Sequence, residues 1–254
     1  MWNGDGMRYL IISDIHANLE ALQAVLAATE GDYTEIVCCG DLVGYGPDPD
    51  AVTDWVRTNV KQVVRGNHDR VCSGMDSADQ FNETAREAAY WTRAQLSGQN
   101  IRYLKELPIG PVEVADLFSI FHGSPRDEDE YVTTPWEAEE ALRMATHQVT
   151  FFGHTHLQGG FVRSDQSLTE NMPMHVPKTK NRRVWQVRSD QSYYLNPGSV
   201  GQPRDGDPRA AFLIYDTTGF IEYGRTTYDV MTTVEKMRTA KLPEFLSRRL
   251  TVGR

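Results

Sequence analysis

Three short apolar runs, each followed at once by polar groups and then by an amphipathic stretch, constrain this chain more than any other feature. Arg8 to Ser13 (RYLIIS) is apolar and rich in isoleucine, and reads as a buried strand with Asp14 and His16 just past its end. Asn18 is placed to cap a helix from Leu19 to Thr29, on which Leu19, Leu22, Val25 and Leu26 form one apolar stripe. Glu35 to Cys39 is a second strand, closed by Gly40-Asp41. A glycine-rich loop then leads to Asp48 as a cap and Pro49 as the first residue of a helix reaching about Asn59. Lys61 to Val64 is a third strand, running into Arg65-Gly66-Asn67-His68-Asp69. Repeated strand–helix units imply an α/β fold with parallel strands. In open α/β sheets ligands bind at the carboxyl ends of the strands, which is where these polar groups fall.

The remainder follows with weaker signals. Asn82 to Leu96 reads as a helix stopped by Gly98, and Asn100 as the cap of a short helix ending at Leu107-Pro108. Val112 to Phe121 reads as a hairpin into a core strand that ends at His122-Gly123. The acidic stretch Asp127 to Glu130 reads as a solvated loop. Thr134-Pro135-Trp136-Glu137 opens a helix to about Thr146, followed by the strand Gln148 to Phe152 and Gly153-His154-Thr155-His156. Trp55, Trp91 and Trp136 fit helix faces turned to the core. Residues 159–190 read as a hairpin insertion, in which Met172, Met174 and Trp185 cover the site, meet a second subunit or simply decorate a surface hairpin. Gln191 to Leu195 is a strand leading into a turn shaped by Asn196 and Ser199. Ala210 to Asp216 and Phe220 to Thr227 form a hairpin, and residues 228–254 are helical, broken at Pro243. No internal repeat or linker appears, so one domain over 1–254 is expected, with 1–6 a disordered extension.

Composition narrows the function. A formal net charge of -9 argues against a basic face for nonspecific nucleic-acid binding, but not against a small phosphorylated substrate in a metal-lined cleft. No apolar run is long enough to span a membrane. Cys38, Cys39 and Cys72 form no Cys-x-x-Cys pair and read as buried reduced thiols, which suits the cytoplasm. His147 and His175 lie outside the motifs, the first reading as a helix-terminus or surface histidine and the second as a solvated group of the insertion.

Seven candidate metal ligands follow strands at separate points: Asp14, His16, Asp41, Asn67, His122, His154 and His156. Carboxylate, imidazole and amide oxygen without thiolate suit Mn, Fe or Zn. One carboxylate can bridge two cations, and two metals roughly 3.5–4 Å apart form a clamp for in-line displacement at phosphorus by an acidified water. In this order the motifs resemble the calcineurin-like metallophosphoesterase superfamily, over Asp14 to His156. The stretch 196–209 extends the likeness, toward the small bacterial and archaeal YfcE-like phosphodiesterase branch.

The resemblance implies a four-layer α/β/β/α sandwich and two divalent metal ions. Asp14, His16 and His156 would hold the first and Asn67, His122 and His154 the second, with Asp41 bridging. It makes His68 a catalytic group facing the substrate rather than a ligand, and Asp69 its hydrogen-bond partner, favouring protonated His68. Protein phosphatases and symmetric diadenosine-tetraphosphate hydrolases of the superfamily carry Gly-Asp-x-x-x-Arg-Gly, whereas Tyr45 stands here in the arginine's place. Tyrosine cannot make a bidentate charged contact with phosphate. Arg65, Arg126 and Arg204, each beside a motif, are candidate replacements, with Arg126 and Arg204 taken as substrate-binding. The expected activity is phosphodiester hydrolysis of a small phosphoester or nucleotide. The alternatives are a phosphomonoesterase, a dinucleoside-polyphosphate hydrolase, or a non-catalytic metal-binding protein on the same scaffold. A homo-oligomer could form through the insertion or through Lys241 to Leu246.

Overall fold

The structure, a computed structural model, describes residues 6–164, 168–172 and 176–254. The expected disordered extension therefore lies outside the described residues except for Gly6, as do Met174 and His175.

Two six-stranded sheets pack face to face. In the first, β1 (Arg8–Ile12) pairs in parallel with β2 (Glu35–Cys38), and β2 with β3 (Gln62–Val63). On its other side β1 pairs antiparallel with β11 (Ala210–Asp216), followed by β12 (Phe220–Thr226) and β9 (Arg182–Gln186). The second sheet runs β4 (Val112–Val114), β5 (Phe118–Ile120), β6 (Val149–Phe151), β10 (Gln191–Asn196), β7 (Gly159–Ser164), β8 (Glu170–Met172).

Strand alternation sorts the side chains into layers. On β1, Leu10 and Ile12 join a cluster with α1 (Leu19–Ala28), α2 (Pro49–Asn59) and α5 (Gly98–Glu106), through Leu22, Val25, Val52, Val56 and Leu104. Tyr9 and Ile11 point the other way, into a core with Phe118, Ile120, Phe151, Tyr193 and Leu195 of the second sheet. Tyr194 faces outward from β10 and meets α6 (Pro135–Met144) through Ala138, Ala141 and Leu142. The result is the expected α/β/β/α sandwich. Truncating a central residue such as Ile11 to alanine costs about 2–5 kcal/mol. Beside the outer helices, α4 (Glu83–Gln95), α7 (Val230–Thr239) and α8 (Glu244–Val252) form a further apolar cluster around Tyr45. No helix among the described residues is long and apolar enough to cross a membrane.

Several local expectations are corrected. The insertion does not stay together: β7 and β8 extend the second sheet, while β9 forms an edge of the first. Met172 and Trp185 accordingly pack in the core between the sheets. Trp136 is 82% exposed rather than core, because α6 buries the side that carries Ala138, Ala141 and Leu142. Ser97, not Asn100, caps α5, and the Asn100 amide reaches back to Asp50. Asp48 precedes α2, but its carboxylate turns to Lys236 on α7 instead of capping. The three cysteines are buried and unpaired, as expected.

Candidate metal centre

Five parallel strands bring their carboxyl ends to one edge of the sandwich. Asp14 and His16 follow β1, Asp41 follows β2, and Asn67 and His68 open α3 (Asn67–Ser73), a short helix the sequence reading missed. His122 follows β5, and His154 and His156 follow β6. The site therefore straddles both sheets. Asp14, His16, Asp41, His154 and His156 all hold left-handed backbone, with φ of 52°, 47°, 54°, 66° and 60°. For non-glycine residues that conformation costs of order 1–3 kcal/mol each and persists where the surroundings impose it. Here crossed main-chain bonds do so: Asp14 N–H donates to Gly40 O and His16 N–H to Asp41 O, both at 3.0 Å. The Asn196 amide donates to Gly153 O at 2.7 Å, and the Ser199 hydroxyl to Asp14 O at 2.7 Å, so both residues shape the turn as expected. Gly66 has to be glycine, since a Cβ there would collide with the Asp41 carboxylate.

All seven candidate ligands converge. Ligand atoms of Asp14, His16, Asp41 and His156 lie within 4.8 Å of one another, as do those of Asp41, His122 and His154. Asp41 belongs to both groups. Its Oδ2 is 3.6 Å from His16 Nε2 and 3.4 Å from His122 Nε2, while its Oδ1 accepts the His68 backbone N–H at 2.9 Å. Asn67 Oδ1 is 3.2 Å from His122 Nε2, and His156 Nε2 is 3.3 Å from Asp14 Oδ1.

The donor set fits cations. His16 Nδ1 is 2.9 Å from Val43 O and His156 Nδ1 is 2.6 Å from Gln202 O. A carbonyl only accepts, so each Nδ1 carries the proton. Burial pushes the His16 pKa down to about 4 and holds His156 well below its ordinary value, so both rings are neutral. Their bare Nε2 lone pairs nevertheless face each other at 3.0 Å, where neither can donate to the other. A cation against both nitrogens removes this conflict. His122 is oriented the same way, with Nδ1 on Cys39 O at 2.8 Å. The His154 Nε2 meets Asp129 O at 3.0 Å, leaving Nδ1 as its other donor. Asp14 Oδ2 is buried with no hydrogen-bond partner. Burial raises Asp14 to about 7. It also works against protonated His122, but the charge and hydrogen bond of Asp41, the charge of Asp14 and the Cys39 carbonyl together outweigh it and lift His122 to about 10. A cation replaces the positive charge that this protonated ring supplies.

Comparison with known proteins gives the family and the fold. The family model described as a calcineurin-like phosphoesterase superfamily domain matches residues 7–219. The chain belongs to that superfamily. It is 36% identical to an uncharacterized protein of Methanocaldococcus jannaschii over 96% of this chain and 97% of that one. A metallophosphoesterase of Sphaerobacter thermophilus superposes with a TM-score of 0.83 at 38% identity, over 98% of this chain and all of that one. A hypothetical protein of Pyrococcus horikoshii OT3 shares the fold, with a TM-score of 0.77 at 19% identity over 98% of this chain and 99% of that one.

In this calcineurin-like chain the surroundings of His68 and the arginines differ from expectation. The Asp69 carboxylate makes no hydrogen bond to the His68 ring. Its two carboxylate oxygens accept the N–H groups of Asp41, Leu42, Val43 and Gly66 at 2.8–3.3 Å, because the turn after β2 offers three buried donors and the turn after β3 a fourth. His68 is buried with its Nδ1 unpartnered, its ring between Tyr45 and Phe81 at centroid distances of 4.3 and 4.5 Å. Burial holds its pKa well below the ordinary value, and neighbouring Asp41 only partly opposes that. Gly44 is pressed onto this imidazole and leaves no room for a Cβ.

Arg126 turns away from the centre and pairs with Glu130 and Glu140 on the surface. Arg65 is also unavailable, held by both oxygens of Glu128 at 2.8 and 3.2 Å. Glu128, which also takes Arg70, is buried rather than solvated, so the acidic loop is strapped down beside the centre and Asp129 O meets His154. Only Arg204 of the three candidates reaches the site. Its guanidinium lies 5.8 Å from the Tyr45 ring centroid, with Nη2 3.5 Å from the Tyr45 hydroxyl.

Proposed function

We propose that this chain is a binuclear-metal-dependent phosphoesterase, and within that class a phosphodiesterase. The observation that carries the reading is the shared position of Asp41, whose carboxylate belongs to both ligand groups. Asp14, His16 and His156 would hold one divalent cation and Asn67, His122 and His154 the other, with Asp41 shared between them. When bound, the cations supply charge at the phosphoryl oxygens and an acidified water as nucleophile. Imidazole, carboxylate and amide donors without thiolate favour Mn, Fe or Zn. Cys39 contributes only its carbonyl, to His122.

His68 stands beside this centre without a hydrogen-bond partner of its own at Nδ1. It is the group free to hydrogen-bond a phosphoryl or leaving-group oxygen. Arg204 brings to Tyr45 the guanidinium that the motif lacks at that position, and it contacts the phosphoryl group as a charged donor. The preference for diesters rests on the resemblance to the phosphodiesterase branch.

The test is hydrolysis of bis-p-nitrophenyl phosphate and p-nitrophenyl phosphate by metal-stripped protein refilled with Mn²⁺. Metal-dependent turnover with the diester faster supports the proposal. A faster monoester makes the chain a phosphatase. Metal uptake without turnover of either ester returns it to the binding-protein reading.

A further inference from the structure

Tyr131 is a large side chain left open at the edge of the candidate metal centre. Its ring lies against the His154 imidazole, with centroids 3.9 Å apart and planes inclined at 37°. The residue is nevertheless 50% exposed. A candidate ligand takes up part of the ring, and half of the side chain faces solvent. A lone exposed tyrosine is ordinary on a protein surface. What sets Tyr131 apart is that the chain holds it in place against a ligand.

The loop before it closes on itself. Ser124 N–H and Glu130 N–H both donate to Asp127 O, at 2.9 and 3.2 Å. The Glu130 carboxylate accepts the Ser124 hydroxyl and pairs with Arg126. Glu128 is held by Arg65 and Arg70, and Asp129 O faces His154 Nε2 at 3.0 Å. Directly after Tyr131, Val132 is buried with Phe152 and Phe161. Tyr131 is therefore strung between two anchored neighbours, and one loop grips His154 through both a carbonyl and a ring. A side chain fixed in this way loses little freedom when a ligand packs on it.

The two flanks of the centre differ in character. At the first ligand group, the Tyr45 ring lies 4.7 Å from His16 and meets the Arg204 guanidinium. At the second, Tyr131 lies on His154. Val132 and Thr133, next in the chain, line a cavity of about 180 Å³ together with Thr155 and Leu157. Leu157, directly after His156, is 40% exposed. One flank is charged, and the other is aromatic and apolar with room beside it. We propose that Tyr131 is a specificity-determining residue that packs against an ester group of the substrate. The inference rests on the phosphoesterase reading and deepens it. The substrate class is a phosphodiester in which one ester group carries a planar aromatic ring, as an aryl or nucleoside ester does and a simple alkyl ester does not. Ring meets ring, offset or edge to face.

The test is equilibrium binding to the full-length, Mn²⁺-loaded protein by calorimetry, with phenylphosphonate and methylphosphonate as probes. Neither has an ester bond to hydrolyse. The proposal expects phenylphosphonate to bind about tenfold more tightly, the scale of one aromatic contact. Tyr131→Phe should keep that ratio, because the ring carries the contact. Tyr131→Ala and Tyr131→Gln, the second of which keeps a long side chain beside His154, should each bring the two affinities together, with metal content near that of the unaltered protein. A purely structural Tyr131 would change both affinities alike and leave their ratio intact. Four results would overturn the proposal: no preference for phenylphosphonate in the unaltered protein, a ratio lost in Tyr131→Phe, a ratio undiminished in Tyr131→Ala or Tyr131→Gln, or metal lost from both of these variants. These ratios require no turnover. Failure to hydrolyse bis-p-nitrophenyl phosphate would count against the phosphoesterase reading, while the phosphonate ratio speaks to Tyr131.

Discussion

The carboxylate of Asp69 accepts the backbone N–H of Asp41 at 2.9 Å, so a residue expected to tune His68 instead fixes the bend that carries the shared carboxylate. Both oxygens of Asp69 are filled by main-chain donors from Asp41, Leu42, Val43 and Gly66. Asp69→Asn turns one of those acceptors into a donor facing N–H groups. We expect a loss of stability of about 1–3 kcal/mol, the cost of leaving buried donors unpaired. Thermal unfolding checks this. An unchanged Tm with only a shifted pH–rate profile would favour the His68-tuning role.

Asp41→Asn removes one of the two anionic oxygens that both ligand groups share. Metal content should fall at both positions together, by metal analysis of the purified variant after dialysis. Retention of one full equivalent would contradict a bridging role.

Metal uptake should depend on pH. Before a cation enters, His122 holds a proton up to about pH 10 and Asp14 up to about 7. Both groups ligate only after losing it, so binding releases protons and the apparent affinity should rise toward about pH 10, most steeply below about pH 7. Calorimetry in two buffers of different ionisation enthalpy reads the released protons directly. An affinity flat across that range would mean that these groups are not displaced.

His68 has no place among the ligand groups and sits against Tyr45 and Phe81. His68→Ala should lower turnover roughly 10²–10⁴-fold, the range for one acid–base group, with metal content near that of the unaltered protein. Loss of metal would make His68 a ligand and displace the assignment.

The fold and the candidate ligands were legible because one physical pattern repeats. A run such as RYLIIS must be buried, so polar groups that close it fall at a sheet edge. What the chain does next at that edge was hidden. Asp14, His16, Asp41, His154 and His156 all hold left-handed backbone although none is glycine, and for Asp14 and His16 main-chain bonds to the loop after β2, more than twenty positions away, hold it. Helix α3 has seven residues and starts inside the motif, too short for a periodic signal. Arg126 and Arg204 carry the same sequence signal, an arginine beside a motif, and only the packing of their loops separates surface from site. Glu128 looked solvated because its partners, Arg65 and Arg70, are about sixty positions away.

The measurement that meets the central claim most directly is a titration of Mn²⁺ into metal-stripped protein, with hydrolysis of bis-p-nitrophenyl phosphate followed in the same sample. Two cations sharing Asp41 predict no turnover without metal and a rate that reaches its plateau when both positions are filled, at two equivalents per chain. A plateau at one equivalent, or turnover that survives chelation, would contradict it.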